Sequence, residues 1–354
     1  MEVFGKGIEN KEILKYIGNT QQVMGLKKYR LSDGFADGVE CVDIKTGAGL
    51  EYTVVLSRAL DISFAEYKGA SLTHISPVGT VAPAYFDASG DEWLRTFGVG
   101  MLTSVGIDQA GGPCECDGRQ YGQHGRLSHL PAGNIALHEG FTDKGFEMSV
   151  SGEMCQWKQV EQHLFLRRKI SSIAGDNTIY IHDTYENRGY EKSPFMILYH
   201  FNLGFPFLNE KTEFIIPNTG ITSMYPNRPV PENINITEPI ESKDEDVFHY
   251  ETKKDAEGYS YALAISNGEK QDLGLLWKFP HDVLPICTQW IQMSYQDYIV
   301  GIEPCNNYVN GVDAAKSQGT LRYIEGQERI DIEMSLKVLS GKELNNSINE
   351  LEKL

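Results

Sequence analysis

Apolar and polar residues alternate along several stretches of the chain, as in β-strands with one face in a core. The clearest is RIDIEMSLKV, in which Ile330, Ile332 and Met334 alternate with Asp331 and Glu333. Successive side chains of a strand point to opposite faces, so this segment predicts a strand with one buried and one solvent-facing side. The stretch HLFLRRKISSIAGDNTIYIHDTYEN has two β-rich runs on either side of residues 174–177, which predicts a hairpin.

The same pattern continues through most of the chain. Further strands are predicted at Tyr52–Leu56, Phe146–Glu153, Tyr259–Ser266, Leu273–Phe279, Cys287–Met293, Tyr298–Glu303 and Gly319–Ile324. Helical pattern is confined mainly to Asn10–Ile17 and Lys342–Leu354, and no βαβ rhythm or repeat appears. Glycine and proline punctuate Ser76–Pro131, which predicts long ordered loops. The fold class expected is all-β: a large antiparallel β-sandwich with long loops over one face and few short helices.

Length and charge limit the partners that the chain can have. With 354 residues, 41% of them hydrophobic, residues 1–354 are expected to form a single domain with a large core. The net charge of -17 disfavours nucleic acids and anionic membranes, and a neutral small molecule is easier to accommodate. The N-terminal residues lack the apolar core of a signal peptide, so a soluble cytoplasmic protein is expected. A homodimer is compatible with the sequence, although no pattern requires it.

Metal binding is the less favoured interpretation of the cysteines and histidines. The six cysteines are mostly far apart, which predicts reduced thiols, and the C-x-C pair Cys114 and Cys116 has no second pair at zinc spacing. A zinc site from His124, His129 and His138 has no acidic partner at helical spacing. No metal or other cofactor is therefore expected.

Two polar groups each lie near the end of an apolar strand. In YHFNLGFP, the face that contains Met196, Leu198, His200 and Asn202 changes from apolar to polar before the turn. Glu303 ends the apolar run YIVGIEP, where a carboxylate is costly unless it is paired, hydrogen-bonded or in a wet cavity. Taken singly, either residue is as well explained as a buried structural group. Together, a histidine and a glutamate can act as complementary acid and base across a pocket.

Other polar residues are weaker candidates for a site. The glycine between His124 and Arg126 in QHGRLSHLPAG allows close backbone approach, so both side chains can reach one cleft, although a loop histidine and a solvated arginine explain them equally well. Arg58 and Asp61 interrupt the strand-like run LSRALDIS, where a simple ion pair is the commoner explanation.

The segment TQWIQ places an amide and an indole on opposite faces of a predicted strand. Gln289 and Trp290 therefore cannot both face the same pocket, and one is expected to pack in the core. Aromatic rings and amides suit sugars, because sugar C–H faces stack on rings and hydroxyls need planar hydrogen-bonding partners.

Several motifs in order resemble one known superfamily. RALDIS, WLRTFGVGMLTSVG, HGRLSHLPA, PFMILYHFNLGFP and GIEPCNNYVNG are similar to motifs of the galactose mutarotase-like (aldose 1-epimerase) proteins, especially a bacterial branch without assigned function. The resemblance spans about Arg58 to Lys337 and implies the mutarotase-like supersandwich fold. It also implies an enzyme that interconverts the α and β anomers of a sugar without a metal, nucleotide or redox cofactor.

The resemblance implies a role for each candidate residue. His200 would be the general acid that protonates the ring oxygen, and Glu303 would be the general base that removes the proton of the anomeric hydroxyl. His124 resembles the histidine that hydrogen-bonds the sugar near its anomeric carbon. The remaining hydroxyls are assigned to Arg58, Asp61, Arg126 and Gln289.

The chain departs from the superfamily pattern in ways that leave the substrate open. HGR replaces the usual LHGG, and the added cation indicates either an acidic or phosphorylated sugar or an internal pair with an acid such as Asp61. Two alternative functions also fit the fold: a carbohydrate-binding or regulatory protein without turnover, and a lyase or hydrolase on a larger saccharide.

Overall fold

Strands make up most of the chain. The computed structural model describes residues 2–3, 6–7, 11–268 and 272–354. In chain order the strands are β1 Glu2–Val3, β2 Lys6–Gly7, β3 Gly25–Arg30, β4 Glu40–Lys45, β5 Leu50–Val55, β6 Asp61–Tyr67, β7 Ala70–Ser71, β8 Leu102–Val105, β9 Cys114–Cys116, β10 Arg119–Tyr121, β11 Gly133–Thr142, β12 Gly145–Lys158, β13 Gln162–Ile173, β14 Thr178–Asn187, β15 Ser193–Pro194, β16 Leu198–Leu203, β17 Glu213–Ile215, β18 Asn218–Ser223, β19 Asp246–Thr252, β20 Tyr259–Ser266, β21 Leu273–Pro280, β22 Ile286–Met293, β23 Tyr298–Cys305, β24 Tyr323–Ile324 and β25 Arg329–Ser340.

Helices are short and few. The α-helices are α1 Val312–Ser317 and α2 Gly341–Leu351, and single 3₁₀ turns lie at Glu12–Lys15, Thr20–Gln22, Gly34–Ala36, Pro83–Tyr85, Glu92–Thr96 and Leu127–His129. Among the described residues, no helix is long and apolar enough to cross a membrane.

Two large antiparallel sheets pack face to face as a β-sandwich. The larger has the order β18-β19-β22-β23-β16-β8-β6-β5-β4-β3, with β7 beside β6, and the smaller has the order β11-β12-β13-β14-β25-β21-β20-β17. One apolar core joins them, with Tyr52 and Ile302 from the larger sheet and Met148 and Trp277 from the smaller. The predicted all-β sandwich is confirmed.

Most of the predicted strands are present with bounds shifted by a few residues. The hairpin is confirmed, because β13 and β14 pair across residues 174–177, and α2 covers most of the predicted C-terminal helix. The strand at Gly319–Ile324 was wrong over most of its length. Thr320 and Leu321 donate backbone hydrogen bonds to Ala315 O and so close the end of α1.

The predicted N-terminal helix is reduced to one 3₁₀ turn, Glu12–Lys15, in which Ile13 is the one buried residue. Asn10, the first residue of that prediction, lies outside the described residues. A single buried side chain gives too little apolar contact to hold a longer helix.

A second apolar cluster lies on the face of the larger sheet that is turned away from the sandwich core. There Trp93 and Phe97, from the loops of residues 76–131, pack with Leu198 of β16 and Ile299 of β23. The predicted long loops are therefore ordered, and they cover β16 and β23. A polar group on this face of either strand lies beneath a loop layer rather than in the sandwich core.

Candidate active site

A cavity of about 270 Å3 lies between the loop layer and the larger sheet. The strands and the segment just before β19 contribute His200, Glu245, Val247, Thr288, Trp290 and Glu303, and the loops contribute Trp93, Leu94, Phe97, Gly111, Gly112, Gln123, His124, Met224 and Val309. Neither lysine nor arginine is among the described residues that line it. Clefts of about 780 Å3 and 740 Å3 lie elsewhere, but no histidine is among their described lining residues.

His200 and Glu303 lie side by side in this cavity. Strands β16 and β23 are adjacent, and because Phe201 pairs with Ile302, the next positions place His200 opposite Glu303. His200 Nε2 is 3.1 Å from Glu303 Oε1, and the side chains are 6% and 3% exposed. Glu303 Oε1 has no hydrogen-bond partner among the described residues, so the contact is not aligned as a hydrogen bond. The carboxyl oxygen that faces the imidazole is therefore free to bond to a ligand.

Gly301 provides the room that this pair occupies. Gly301 and Glu303 are two positions apart on β23 and share a face, and a Cβ atom at residue 301 would overlap Glu303 Oε1. The same atom would lie 3.2 Å from His200 Cε1. The absence of a side chain at Gly301 lets the Glu303 carboxyl fold back beside the imidazole.

Burial favours the neutral form of both members of the pair. It lowers the pKa of His200 to about 3, with a smaller contribution from His124. Burial also raises the pKa of Glu303 well above its usual range, and the negative charge of Glu245 adds to the shift. These shifts favour a protonated carboxyl and an uncharged imidazole in the free protein.

Aromatic rings surround His200. The ring centroids of Phe97 and Trp290 are 5.4 Å and 5.5 Å from that of His200, in edge-on arrangements. Trp93 packs against Phe97 at 4.5 Å and against His124 at 4.8 Å. These rings restrict water around the pair and offer the apolar surface on which the C–H face of a sugar stacks.

His124 lines the same cavity in a fixed orientation. Its ring centroid is 6.3 Å from that of His200, and its Nδ1 accepts a hydrogen bond from the backbone N–H of Gly111. Because burial lowers the pKa of His124 to about 4, the ring is neutral and its proton is on Nε2. His124 is therefore a hydrogen-bond donor beside the acid–base pair.

Arg126 does not share the cavity, although it is only two residues from His124. Both His124 and Gly125 have left-handed backbone (φ of 56° and 70°), and a Cβ atom on Gly125 would lie against Gly106 O. The resulting turn directs Arg126 to the surface, where it lines the 780 Å3 cleft. The expectation that Arg126 contacts the same ligand as His200 is not met by this geometry.

Arg58 bonds to the protein itself rather than to the cavity. Its guanidinium donates to the backbone carbonyls of Ser128 and Thr96 and contacts His129 Nε2 at 3.0 Å. His129 Nδ1 is bonded to Ser128 Oγ, so neither ring nitrogen of His129 is free for a metal. Arg58 therefore links the loop that contains Thr96 to the loop that contains Ser128.

Asp61 belongs to an internal network that links the two sheets. It accepts hydrogen bonds from the backbone and hydroxyl of Ser104, and Arg168 lies 3.3 Å from it. Ala59 and Leu60 have left-handed backbone, so LSRALDIS forms a turn between β5 and β6 instead of continuing a strand. Because this turn directs both side chains into the protein, the structure does not bring Arg58 and Asp61 to the cavity of His200 and Glu303.

Gln289 and Trp290 face opposite sides of β22, as predicted, but Trp290 is the residue in the cavity. Gln289 is fully buried on the other side, where its Oε1 accepts a hydrogen bond from Tyr250 OH at 2.8 Å. Trp290 donates from its indole N–H to Glu245. The structure therefore does not bring Gln289 to this cavity, and Gln289 lines the cleft of about 740 Å3 instead.

Glu245 is a cavity residue that the sequence reasoning missed. Trp290 Nε1 lies 2.8 Å from one carboxylate oxygen, and Tyr225 OH bonds to the other. Glu245 lies in the acidic run ESKDEDVF, which looks like a solvent-exposed loop. The one signal in the sequence that could have indicated a role for Glu245 was its position directly before β19.

Comparisons with known proteins agree with this architecture. Residues 36–338 match the family described as Domain of unknown function (DUF4432). A proposed aldose 1-epimerase from Klebsiella pneumoniae subsp. pneumoniae is 21% identical, with a TM-score of 0.86 over 95% of this chain and 90% of that one. None of the curated proteins compared matches the chain.

More distant structures share the fold as well. A galactose mutarotase-like protein from Clostridium acetobutylicum is 11% identical, with a TM-score of 0.62 over 90% of this chain and 100% of that one. A galactose 1-epimerase from Lactobacillus acidophilus is also 11% identical, with a TM-score of 0.56 over 90% and 99% of the two chains. The resemblance found in the sequence is confirmed at the level of the fold, and the chain belongs to the DUF4432 family with a galactose mutarotase-like architecture.

Proposed function

We propose that this protein is an aldose 1-epimerase that interconverts the anomers of a free, uncharged monosaccharide. The observation that carries the proposal is the buried pair of His200 and Glu303, 3.1 Å apart, which lines a cavity together with aromatic rings and in which Glu303 Oε1 has no hydrogen-bond partner among the described residues. His200 serves as the general acid and Glu303 as the general base.

The reaction requires two coordinated proton transfers. One group protonates the ring oxygen while another removes the proton of the anomeric hydroxyl, and the ring opens to the aldehyde. Rotation about the bond to the neighbouring carbon and reclosure on the other face, with the roles reversed, gives the opposite anomer. Holding the sugar between the two groups lowers the entropic part of the barrier.

The protonation state of the free pair is compatible with these roles. The neutral pair and the ion pair of charged His200 and Glu303 contain the same number of protons and differ by one transfer across the 3.1 Å contact. A sugar hydroxyl that donates to the Glu303 carboxylate stabilises its charged form, so substrate binding favours the ion pair. The apparent pKa values of the reaction therefore belong to the pair rather than to either residue.

Charge in the cavity favours a neutral substrate. Glu245 and Glu303 are both carboxyl groups, and no lysine or arginine is among the described lining residues to balance an anion. An acidic or phosphorylated sugar was considered because of Arg126, which lies in a different cleft. The sugar acid is therefore the less favoured substrate.

The alternative functions have weaker support. A cavity of about 270 Å3 suits one sugar ring better than a longer saccharide, for which a lyase or hydrolase needs an open groove. A protein that only binds sugar does not need a buried acid–base pair, and burying such groups without partners costs stability.

Saturation-transfer NMR between α and β anomers tests the proposal. We expect the protein to accelerate exchange of at least one neutral sugar, and His200→Asn and Glu303→Gln to lose that acceleration by about 100-fold or more. His182 and Glu333 form a matched exposed control, since His182 Nδ1 is 3.2 Å from Glu333 Oε1 on the surface. His182→Asn and Glu333→Gln should retain full activity. Binding of a sugar without faster exchange would instead support the carbohydrate-binding alternative.

A further inference from the structure

The cavity has few polar groups available for sugar hydroxyls. Besides His200 and Glu303, the side chains of Gln123, His124 and Glu245 offer polar atoms to a ligand. Both carboxylate oxygens of Glu245 already accept a hydrogen bond, from Trp290 Nε1 and from Tyr225 OH, so only their second lone pairs remain for a ligand. The Thr288 hydroxyl also lines the cavity, but it is already bonded to both His249 Nδ1, at 2.9 Å, and Cys305 Sγ, at 3.4 Å.

The backbone of the same loop is also largely occupied. The N–H of Gly111 donates to His124 Nδ1, and its carbonyl accepts from the backbone N–H of His124. The carbonyl of Gly112 accepts from Gln109 Nε2. These carbonyls are therefore less available to a sugar.

A count of hydroxyls follows from the proposed function. If His200 and Glu303 act on the ring oxygen and the anomeric hydroxyl, Gln123, His124 and Glu245 remain for the others. A hexopyranose has four further hydroxyls, on carbons 2, 3, 4 and 6, and the same sugar without the one on carbon 6 has three. Because Glu245 is already bonded on both oxygens, these three side chains serve the smaller set of hydroxyls more completely than the larger one.

The rest of the cavity wall is apolar. Leu94, Met224, Val247 and Val309 line it together with the rings described above. Val247 and Val309 are each 6% exposed, so they form a firm wall rather than a mobile rim. A hydroxyl buried against such a wall loses its hydrogen bonds to water without replacement, whereas a methyl group gains from burial.

We infer that the substrate is a 6-deoxyhexopyranose, whose methyl group packs against the apolar side chains of the cavity. This inference rests on the proposed function and specifies its substrate class. An apolar pocket discriminates against an added hydroxyl by about 100-fold, and against a missing methyl group by about 10-fold or more. A pentose leaves the apolar wall without a contact, and a uronic acid brings a carboxylate into a cavity that already contains Glu245 and has no lysine or arginine among its described lining residues.

Matched sugar series test the inference in the wild-type protein. D-Galactose, 6-deoxy-D-galactose, L-arabinose and D-galacturonic acid have the same ring configuration and differ only in the substituent on carbon 5. The corresponding series with gluco and manno configurations, in D and L forms, remove any dependence on ring configuration. The quantity measured is kcat/KM for anomer exchange by NMR.

Within the ring configuration that the protein accepts, we expect kcat/KM to be highest for the sugar with a methyl group on carbon 5. Sugars with hydrogen or hydroxymethyl there should follow, and the sugar with a carboxylate should be slowest. We expect the 6-deoxy sugar to exceed the hydroxymethyl sugar by about 10- to 100-fold. Equal or faster turnover of the hydroxymethyl sugar or the pentose would overturn the inference and leave the epimerase proposal standing. Failure to accelerate any sugar in any series would overturn both.

Isosteric variants test the wall itself. Val247→Thr and Val309→Thr each replace a methyl group with a hydroxyl, and Val160→Thr makes the same change at a residue that is 93% exposed. At least one of the first two should reduce the preference for methyl over hydroxymethyl by about 10-fold, and the third should leave it unchanged. If both cavity variants keep the wild-type preference for methyl over hydroxymethyl, Val247 and Val309 do not contact the methyl group, which would contradict the inference that this wall binds it.

Discussion

Glu303 occupies a position that disfavours its charged form. Burial raises its pKa well above the usual range, so the folded chain holds a proton that the unfolded chain releases above about pH 4.3. The unfolded state then binds fewer protons, and the free energy of unfolding falls as the pH rises above that value. We expect Glu303→Gln to be more stable than the wild-type protein, with a difference in the free energy of unfolding that grows from pH 5 to pH 8.

Urea unfolding at several pH values measures this margin, which is at most about 1.4 kcal/mol per pH unit. Glu333→Gln, at a side chain that is 68% exposed, is the control and should change little. A margin that is constant or shrinks with rising pH would show that Glu303 is ionised in the folded protein.

Gly301 is expected to tolerate no side chain if the pair is to keep its geometry. A methyl group there overlaps Glu303 Oε1, so Gly301→Ala must displace the carboxyl from His200. Displacements of about 1 Å in a catalytic site lower turnover by about 100-fold. Gly220→Ala on β18 is the control, because a Cβ atom there has nothing within 4 Å. Anomer exchange at wild-type rate in Gly301→Ala would contradict this role.

The positions of single residues could be predicted from the sequence where they lie in regular strands. His200 and Glu303 were identified because alternation in a strand fixes the face of each residue. Arg58 and Arg126 lie outside the cavity, which alternation could not indicate because each lies beside two successive left-handed residues. Such a turn is set by contacts with distant segments, as when Gly125 packs against Gly106.

Strands β6, β8, β13, β14 and β16 are joined by one buried polar network. Arg168 of β13 donates to both carboxylate oxygens of Asp183, at 2.8 Å and 2.7 Å, and to Ser104 Oγ at 2.7 Å. Tyr199 OH also donates to Asp183. Because every member is bonded to another, the network fixes how the two sheets meet.

Removal of the cation from this network should be strongly destabilising. Arg168→Met leaves Asp183 and Asp61 buried without their positive partner, which costs about 3–5 kcal/mol. The neighbouring Arg167 points outward, is 56% exposed and pairs with Glu153. Arg167→Met should cost less than about 1 kcal/mol. Equal unfolding free energies for the two variants would show that the buried network adds no stability.

Elements were predictable where the hydrophobic period is uniform. Regular strands such as Tyr259–Ser266 appear with the bounds predicted for them. The region Ser76–Pro131 could be recognised only as ordered loops, because its short strands and 3₁₀ turns are stabilised by packing on the sheet and not by a local pattern. Its contribution to the cavity, through Trp93, Phe97 and His124, therefore required the structure.

The molecule as a whole should lose stability in mild acid. Burial lowers the pKa of His200 to about 3 and of His124 and His249 to about 4. Burial, with a smaller contribution from Arg58, lowers the pKa of His129 to about 2. Below about pH 6.5 the unfolded chain protonates these residues and the folded chain does not, so the free energy of unfolding falls as the pH falls.

The expected decrease is up to about 1.4 kcal/mol per pH unit for each such histidine, partly offset by Glu303, whose contribution has the opposite sign. Urea unfolding between pH 7.5 and pH 5 measures how steeply the free energy of unfolding depends on pH. His249→Asn removes one of these histidines and should reduce that slope by up to about 1.4 kcal/mol per pH unit. Stability that is constant or rises over this range would contradict the burial of these rings as neutral groups.

Charge at the scale of the whole chain agrees with the charge of the cavity. The net charge of -17 and the carboxyl groups in the cavity both disfavour anionic ligands, at long and short range respectively. That residues 1–354 form one domain, and that the protein acts on a carbohydrate, stay predictions. The first is compatible with a core that both sheets share.

The central claim is that His200 and Glu303 act together as one acid–base unit, and a double-variant comparison tests it most directly. The measurement is kcat/KM for anomer exchange in His200→Asn, Glu303→Gln and the variant with both changes. Residues that act as a unit are not additive, so we expect each single variant to lose nearly as much as the double variant. Losses that multiply, or a single variant with wild-type turnover, would contradict the account.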